Sequence, residues 1–172
     1  MHYLALGLNV GVLLLMVALA ALTVVIPRLT GSVPLTILTS SMEPRLPPGT
    51  LVIVRPVAAE EIRLGAVIVY QLRSGEPETV THRVVGITTS ADGERTFTTR
   101  GDNNPQDDPA PVRAAQVRGE VWYSLPLIGY VAVSVGGGIR SWIVVAIAVC
   151  LAAFGMFMVV SWAVDRRRRA LL

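Results

Sequence analysis

Two uncharged apolar stretches, Leu4 to Ile26 and Trp142 to Val164, constrain this 172-residue chain more than anything between them. Each exceeds the roughly 20 helical residues that cross a bilayer core of about 30 Å, so each predicts a transmembrane helix. Trp142 and Trp162 stand near the two ends of the second stretch, where indole rings favour the two membrane interfaces. The first stretch is too long for a signal-peptide h-region of about 7 to 15 residues, and no basic residue precedes it, so it predicts an anchor. Gly7, Asn9 and Gly11 suit close packing of two such helices; chance glycines near a helix end explain them equally well.

Charge divides along the same lines. All 15 basic residues are arginines, and residues 27–140 hold eleven of them against eleven Asp or Glu. The net charge of +3 therefore lies wholly in Arg166 to Arg169 less Asp165 (4 − 1). A neutral middle domain argues against a nucleic-acid partner, which would need a basic folded face. The arginine run directly after the second stretch predicts a cytoplasmic end by the positive-inside bias, with Arg28 a weaker opposing signal. Two spans then put both termini in the cytoplasm and the middle domain outside the cell membrane. The expected organisation is a cytoplasmic start at 1–3, a helix at 4–26, an extracytoplasmic domain at 27–141, a second helix at 142–164 and a basic tail at 165–172. Cys150, the single cysteine, lies inside the second span. It can form no internal disulfide, and apolar surroundings disfavour its thiolate.

The middle domain reads as β, with one core. Thr50 to Arg55 and Gly65 to Tyr70 are β-branched runs joined by a polar link, and Val80 to Ile87 and Arg95 to Arg100 continue the pattern. Ser74-Gly75-Glu76-Pro77 and Ala91-Asp92-Gly93-Glu94 predict hairpin turns, since glycine supplies positive φ. Gly101 to Pro111 is too rich in Gly, Asn, Asp and Pro to be anything but a loop. Trp122 to Val135, broken by Pro126 and Gly129, predicts a last core strand, a segment dipping into the outer leaflet, or partly both; about 122–138 is the expected membrane-proximal segment. The fold class is thus a mainly β domain flanked by two transmembrane α-helices.

Chemistry narrows quickly. There is no lysine, and the two histidines are His2, at the extreme N-terminus, and His82, in a strand-like run. Thr39-Ser40-Ser41-Met42-Glu43-Pro44 precedes the first β run. A serine nucleophile needs a base, and the base needs a group that orients it and stabilises its charged form. Ser41 with His82 as base fits, and Asp102, Asp107 and Asp108 are available to orient the ring. Taken alone, the Ser-Met-Glu-Pro stretch is only a loop with a hydroxyl, a strand histidine is more often structural, and three loop aspartates are more often a solvated turn. Oxyanion donors would be the Ser41 backbone N–H and the hydroxyl of Thr39 or Ser40. A histidine base predicts activity that rises with pH through about 6.5 and then levels. No metal or other cofactor is expected.

The order of motifs adds to this. Ser41-Met42-Glu43-Pro44, then valine-rich strands, then His82-Arg83-Val84-Val85, then Arg100-Gly101-Asp102-Asn103-Asn104 with Asp107-Asp108, resembles type I signal peptidases of the endoplasmic-reticulum and archaeal branch, also found in some Gram-positive bacteria. That branch has histidine where the common bacterial branch has lysine, in keeping with the lysine-free composition. The resemblance spans roughly Thr36 to Gly129. It implies Ser41 as nucleophile, His82 as general base, Asp108 as the orienting carboxylate and Asp102 as a further required one. The Pro105-Gln106 insertion leaves Asp107 as a rival to Asp108. It also implies a signal-peptidase-like β fold and a membrane-bound serine endopeptidase that cuts exported preproteins after small residues, with room for accessory subunits. From Ile26 to Ser41 the chain reaches at most about 50 Å fully extended, so the cut would fall close to the membrane. The rival readings are a regulatory or self-cleaving protease of related fold, and a non-catalytic membrane-anchored β scaffold.

Overall fold

The computed structural model describes residues 2–75, 77–130 and 154–155. The chain divides into two units, residues 1–25 with 135–172, and residues 26–134.

The N-terminal apolar stretch is helical from His2 to Thr30: α1 (His2–Ala20), a π-helical turn (Ala21–Val25) and α2 (Ile26–Thr30). Its Asn9–Thr30 part, 22 residues, is long and apolar enough to cross a membrane. The expected end at Ile26 falls four residues short. Proline lacks the N–H that an α-helix needs and its ring crowds the preceding turn; the wider turn just before Pro27 accommodates both effects. Gly31, at φ 66°, then closes the helix. Ser32 N–H donates to the Pro27 carbonyl at 2.9 Å, which is the six-to-one bond of a Schellman stop. The predicted second span, the tail and Cys150 lie outside the described residues, apart from Phe154 and Gly155. Those two are helical, and Gly155 lies so close to Leu13 of α1 that a Cβ there would meet its side chain.

The second unit is built on one antiparallel sheet of seven strands: β1 (Val33–Thr36), β2 (Leu51–Arg55), β3 (Val67–Gln71), β4 (Thr79–Thr89), β5 (Arg95–Arg100), β6 (Val112–Arg113) and β7 (Val117–Leu125), in the order β1-β2-β7-β3-β4-β5-β6. The four predicted runs are β2 to β5. Gly75 and Gly93 sit in the two predicted hairpins with φ of 93° and 85°. The two valine-rich runs are not partners, however. β7 inserts between them, pairing Ile53 with Tyr123 on one side and Ile68 with Glu120 on the other. The polar link 56–66 therefore crosses over instead of turning back, and it buries Ile62.

Trp122 to Val135 is accordingly a core strand over its first four residues, with β7 beginning earlier, at Val117. Tyr123, Leu125 and Ile128 cover Leu51 and Ile53 on one face of β2. Val52 and Val54 point the other way, into a cluster with Ile37, Met42 and Leu46. Alternation along a strand puts successive side chains on opposite faces, and β2 is buried on both. Trp122, Leu127 and Tyr130 remain about half exposed or more.

A further cluster joins Ile62, Ile68, Tyr70, Val84, Phe97 and Val112. Phe97 on β5 is wholly buried within it. Phe97→Ala is expected to lower the unfolding free energy of the domain by about 3–5 kcal/mol. Chemical denaturation of the full chain in detergent checks this, and a loss below about 1 kcal/mol would mean the cluster is not a core.

Candidate active site

The loop after β5 is the element that gathers the candidate residues. Met42 is buried beneath Val52, Val54 and Val69, and removing such a side chain from water contributes about 1.5–3 kcal/mol. That burial fixes the short turn of which Ser41 is the outward neighbour. Glu43 N–H donates to the Ser40 carbonyl at 3.1 Å and Leu46 N–H to the Met42 carbonyl at 2.9 Å. The Glu43-Pro44 bond is cis. From the other side, Asn103 N–H donates to the Ser41 carbonyl at 2.9 Å, and the Asn103 amide donates to the Ser40 carbonyl at 3.3 Å. Gly101 makes this approach possible, since a Cβ there would lie 2.6 Å from the Ser41 carbonyl oxygen.

His82 and Arg83 are neighbours on β4 and so point to opposite faces. One loop meets both. Asp108 Oδ2 lies 2.7 Å from His82 Nδ1, and Asp102 receives both arms of the Arg83 guanidinium at 2.7 and 2.6 Å. Such a fork is stronger and more directional than a single charged bond. Arg83 also donates to the Gly65 carbonyl at 2.8 Å, fixing the turn that leads toward β3. The rival carboxylate is elsewhere, since Asp107 faces Arg100 at 3.4 Å with its side chain half exposed.

Asp108 is the most heavily bonded group in the site. Its Oδ2 also accepts from the Thr99 hydroxyl at 2.7 Å and the Tyr70 hydroxyl at 3.1 Å, and its own N–H donates to the Thr99 carbonyl at 2.8 Å. Burial opposes ionisation of Asp108, but the bonds from Thr99, His82 and Tyr70 outweigh it and hold the carboxyl below the usual range. The Arg83 fork does the same for Asp102. Tyr70 moves the other way. Burial, reinforced by the nearby Asp108 charge, pushes its phenol up to about 12.

Ser41 Oγ rests 3.2 Å from Thr39 Oγ1, so one of the two expected hydroxyls is beside the nucleophile candidate. Ser40 is exposed and contributes its carbonyl as an acceptor. Among the described residues no hydrogen bond joins Ser41 to His82, and no group of His, Cys, Asp and Glu has the makings of a metal site. The loop thus touches both, Ser41 through Asn103 and His82 through Asp108. The chemical content is a buried histidine with one ring nitrogen committed to a carboxylate, and a serine whose backbone carbonyl is held by the same loop. Thr99 and Tyr70 escaped the sequence reading as site residues, and Arg83 and Asn103 stood in its motifs without a role. The alternation in β5, with Phe97 and Thr99 both inward, is the signal that points to Thr99.

Residues 10–90, which include Ser41 and His82, match the family described as signal peptidase, peptidase S26. Signal peptidase I W of Bacillus subtilis is 36% identical over 95 residues, covering 55% of this chain and 48% of that protein. The human signal peptidase complex catalytic subunit SEC11C is 31% identical over 86 residues, 50% of this chain and 42% of its own. The chain thus spans about half the length of the curated relatives it matches. The chain is thus similar over residues 10–90 to the signal peptidase, peptidase S26 family, and over about half its length to a bacterial signal peptidase and to a human signal peptidase complex subunit.

Proposed function

We propose that the chain is a membrane-anchored serine endopeptidase that removes signal peptides from exported preproteins, cutting after small residues. The observation that carries the reading is the 2.7 Å bond between His82 Nδ1 and Asp108 Oδ2, on the loop whose Asn103 also grips the Ser41 carbonyl. A histidine that donates Nδ1–H to a carboxylate presents Nε2 as a base. Ser41 Oγ gives its proton to Nε2, leaving its resting partner Thr39, and attacks the scissile carbonyl. Catalytic bonds of this kind tighten when substrate closes the site. The protonated ring then delivers the proton to the leaving amine, and water releases the acyl group from Ser41. The Ser41 N–H and the Thr39 hydroxyl serve the developing oxyanion. Asp102, held by Arg83, acts on the loop's shape and not on the reacting atoms.

Partners follow from the same reading. The substrates are preproteins with signal peptides, the bilayer holds the anchor, and accessory subunits fit a relative named as the catalytic subunit of a complex. Nucleic acid has no part. Two spans, with both termini cytoplasmic and the β domain outside, are the topology that the Arg166 to Arg169 run favours.

Purified protein in detergent is expected to cut a labelled preprotein after a small residue, and Ser41→Ala and His82→Ala are each expected to lose at least about a hundredfold in kcat/KM. Equal cutting by all three proteins would overturn the assignment.

Acid behaviour gives a second check. The carboxyls of Asp102 and Asp108 sit below their ordinary range when folded, so the stability they contribute is present above the unfolded value, about pH 4, and is lost as pH falls through the folded values. The thermal midpoint should be level from pH 5 to 8 and drop below about pH 4. Asp102→Asn should lower the plateau and flatten the drop; an unchanged profile would show that the Arg83 fork contributes nothing.

For topology, a cysteine at exposed Ala91 in a Cys150→Ser background is expected to react with a membrane-impermeant maleimide on intact cells, while one at position 170 reacts only after lysis. The reverse pattern would invert the orientation.

A further inference from the structure

The function above uses one bond to Asp108, yet the carboxylate receives three on the same oxygen. His82 Nδ1, Thr99 Oγ1 and Tyr70 Oη converge on Oδ2 from β4, β5 and β3 at 2.7, 2.7 and 3.1 Å. Thr99 is wholly buried, Tyr70 nearly so and His82 is 7% exposed, so little water competes for these positions. Thr99 also holds the Asp108 backbone, through its carbonyl at 2.8 Å. The three side chains are a consequence of register. Tyr70 and His82 are two apart in pairing, opposite Val80 and Ile68, and Thr99 stands opposite Val84, so all three face the same side of the sheet.

Resting on the Ser41 and His82 reading, we propose that Thr99 and Tyr70 are positioning residues that fix Oδ2 of Asp108 against His82 and share its negative charge, so that the ring stays a ready base for Ser41. The physical argument is a division of one charge among donors. A carboxylate oxygen has few acceptor directions, and each neutral hydroxyl that occupies one lowers the basicity left for the others. With His82 as the sole donor, Asp108 would hold the imidazolium more strongly. With the hydroxyls in place the carboxylate still orients the ring while stabilising its charged form less. The hydroxyls also decide which oxygen meets the ring, because a freely turning carboxylate offers either.

Among the described residues few charged and titratable groups surround the pair, and Arg45 acts on Asp102. Asp108, Tyr70 and the field of Asp102 face His82, while Arg83 is spent on Asp102. A shift on altering Thr99 or Tyr70 is therefore assignable to Asp108.

The test compares the parent with Thr99→Val, Thr99→Ser, Tyr70→Phe and the Val/Phe double variant, each shown to be folded by its thermal midpoint. Two readouts are taken: the His82 ring signal followed by NMR across pH in a His2→Gln background, where it is the one histidine left, and kcat and KM for a preprotein peptide across pH. Thr99→Val is expected to raise the pH at which the His82 signal moves by about half a unit, the double variant by more, and Thr99→Ser to restore the parent value. The acid limb of kcat should move with it and KM should stay. Coincident ring titrations in all five proteins, or movement to lower pH, overturn the proposal. The ring readout does not depend on cleavage. If the parent fails to cut while the graded ring shift appears, the positioning of His82 stands and the peptidase reading is what has failed.

Discussion

The hydrogen bond from His82 to Asp108 is the interaction on which the arrangement of the site depends. It ties β4, the longest of the described strands, to a loop that begins with Gly101, and other contacts of that loop help to hold its position. Asp102 is fixed by Arg83, Asn103 reaches the Ser41 turn, and Asp108 is fixed through Thr99. A loop as rich in Gly, Asn and Pro as 101–111 has little intrinsic preference for one shape. Its shape is set by charged and polar contacts to three strands and one turn, which is why removing a single donor is expected to matter for chemistry more than for folding.

Much of this was legible in the sequence. The β-branched runs gave β2 to β5, because residues that favour a pleated, half-buried surface announce themselves without tertiary information. Gly75 and Gly93 marked their hairpins for a local reason, the positive φ. What could not be read was the insertion of β7. Val117-Arg118-Gly119-Glu120 looks polar and broken by glycine, and the pairing that makes it central joins residues about fifty positions apart or more. Gly119 is needed there because the Arg55 carbonyl fills the space a Cβ would take, a requirement no local pattern carries. β1 was hidden for a similar reason, since Pro34 demotes a strand except at an edge, and β1 is an edge.

The site divides in the same way. Ser41 and His82 followed from what the composition lacks and from the order of motifs. The choice between Asp107 and Asp108 did not, because adjacent residues in a loop are separated by orientation alone. The structure shows what separates them. Thr99 points inward and Arg100 outward, and each takes the aspartate on its own side. Alternation in a strand thereby selects a partner in the loop that follows it.

Tyr70 completes the argument about charge. Because burial and the Asp108 carboxylate push its phenol up to about 12, it keeps its proton at any pH at which the protein works. Thr99 has no proton to lose in that range. Asp108, below its usual range, stays ionised. Of the four groups that meet at Oδ2, Asp108, Thr99 and Tyr70 are thus fixed in charge. On the proposed peptidase reading, proton transfer would then be confined to His82 with the surrounding bonds left in place, which is what a preorganised base requires.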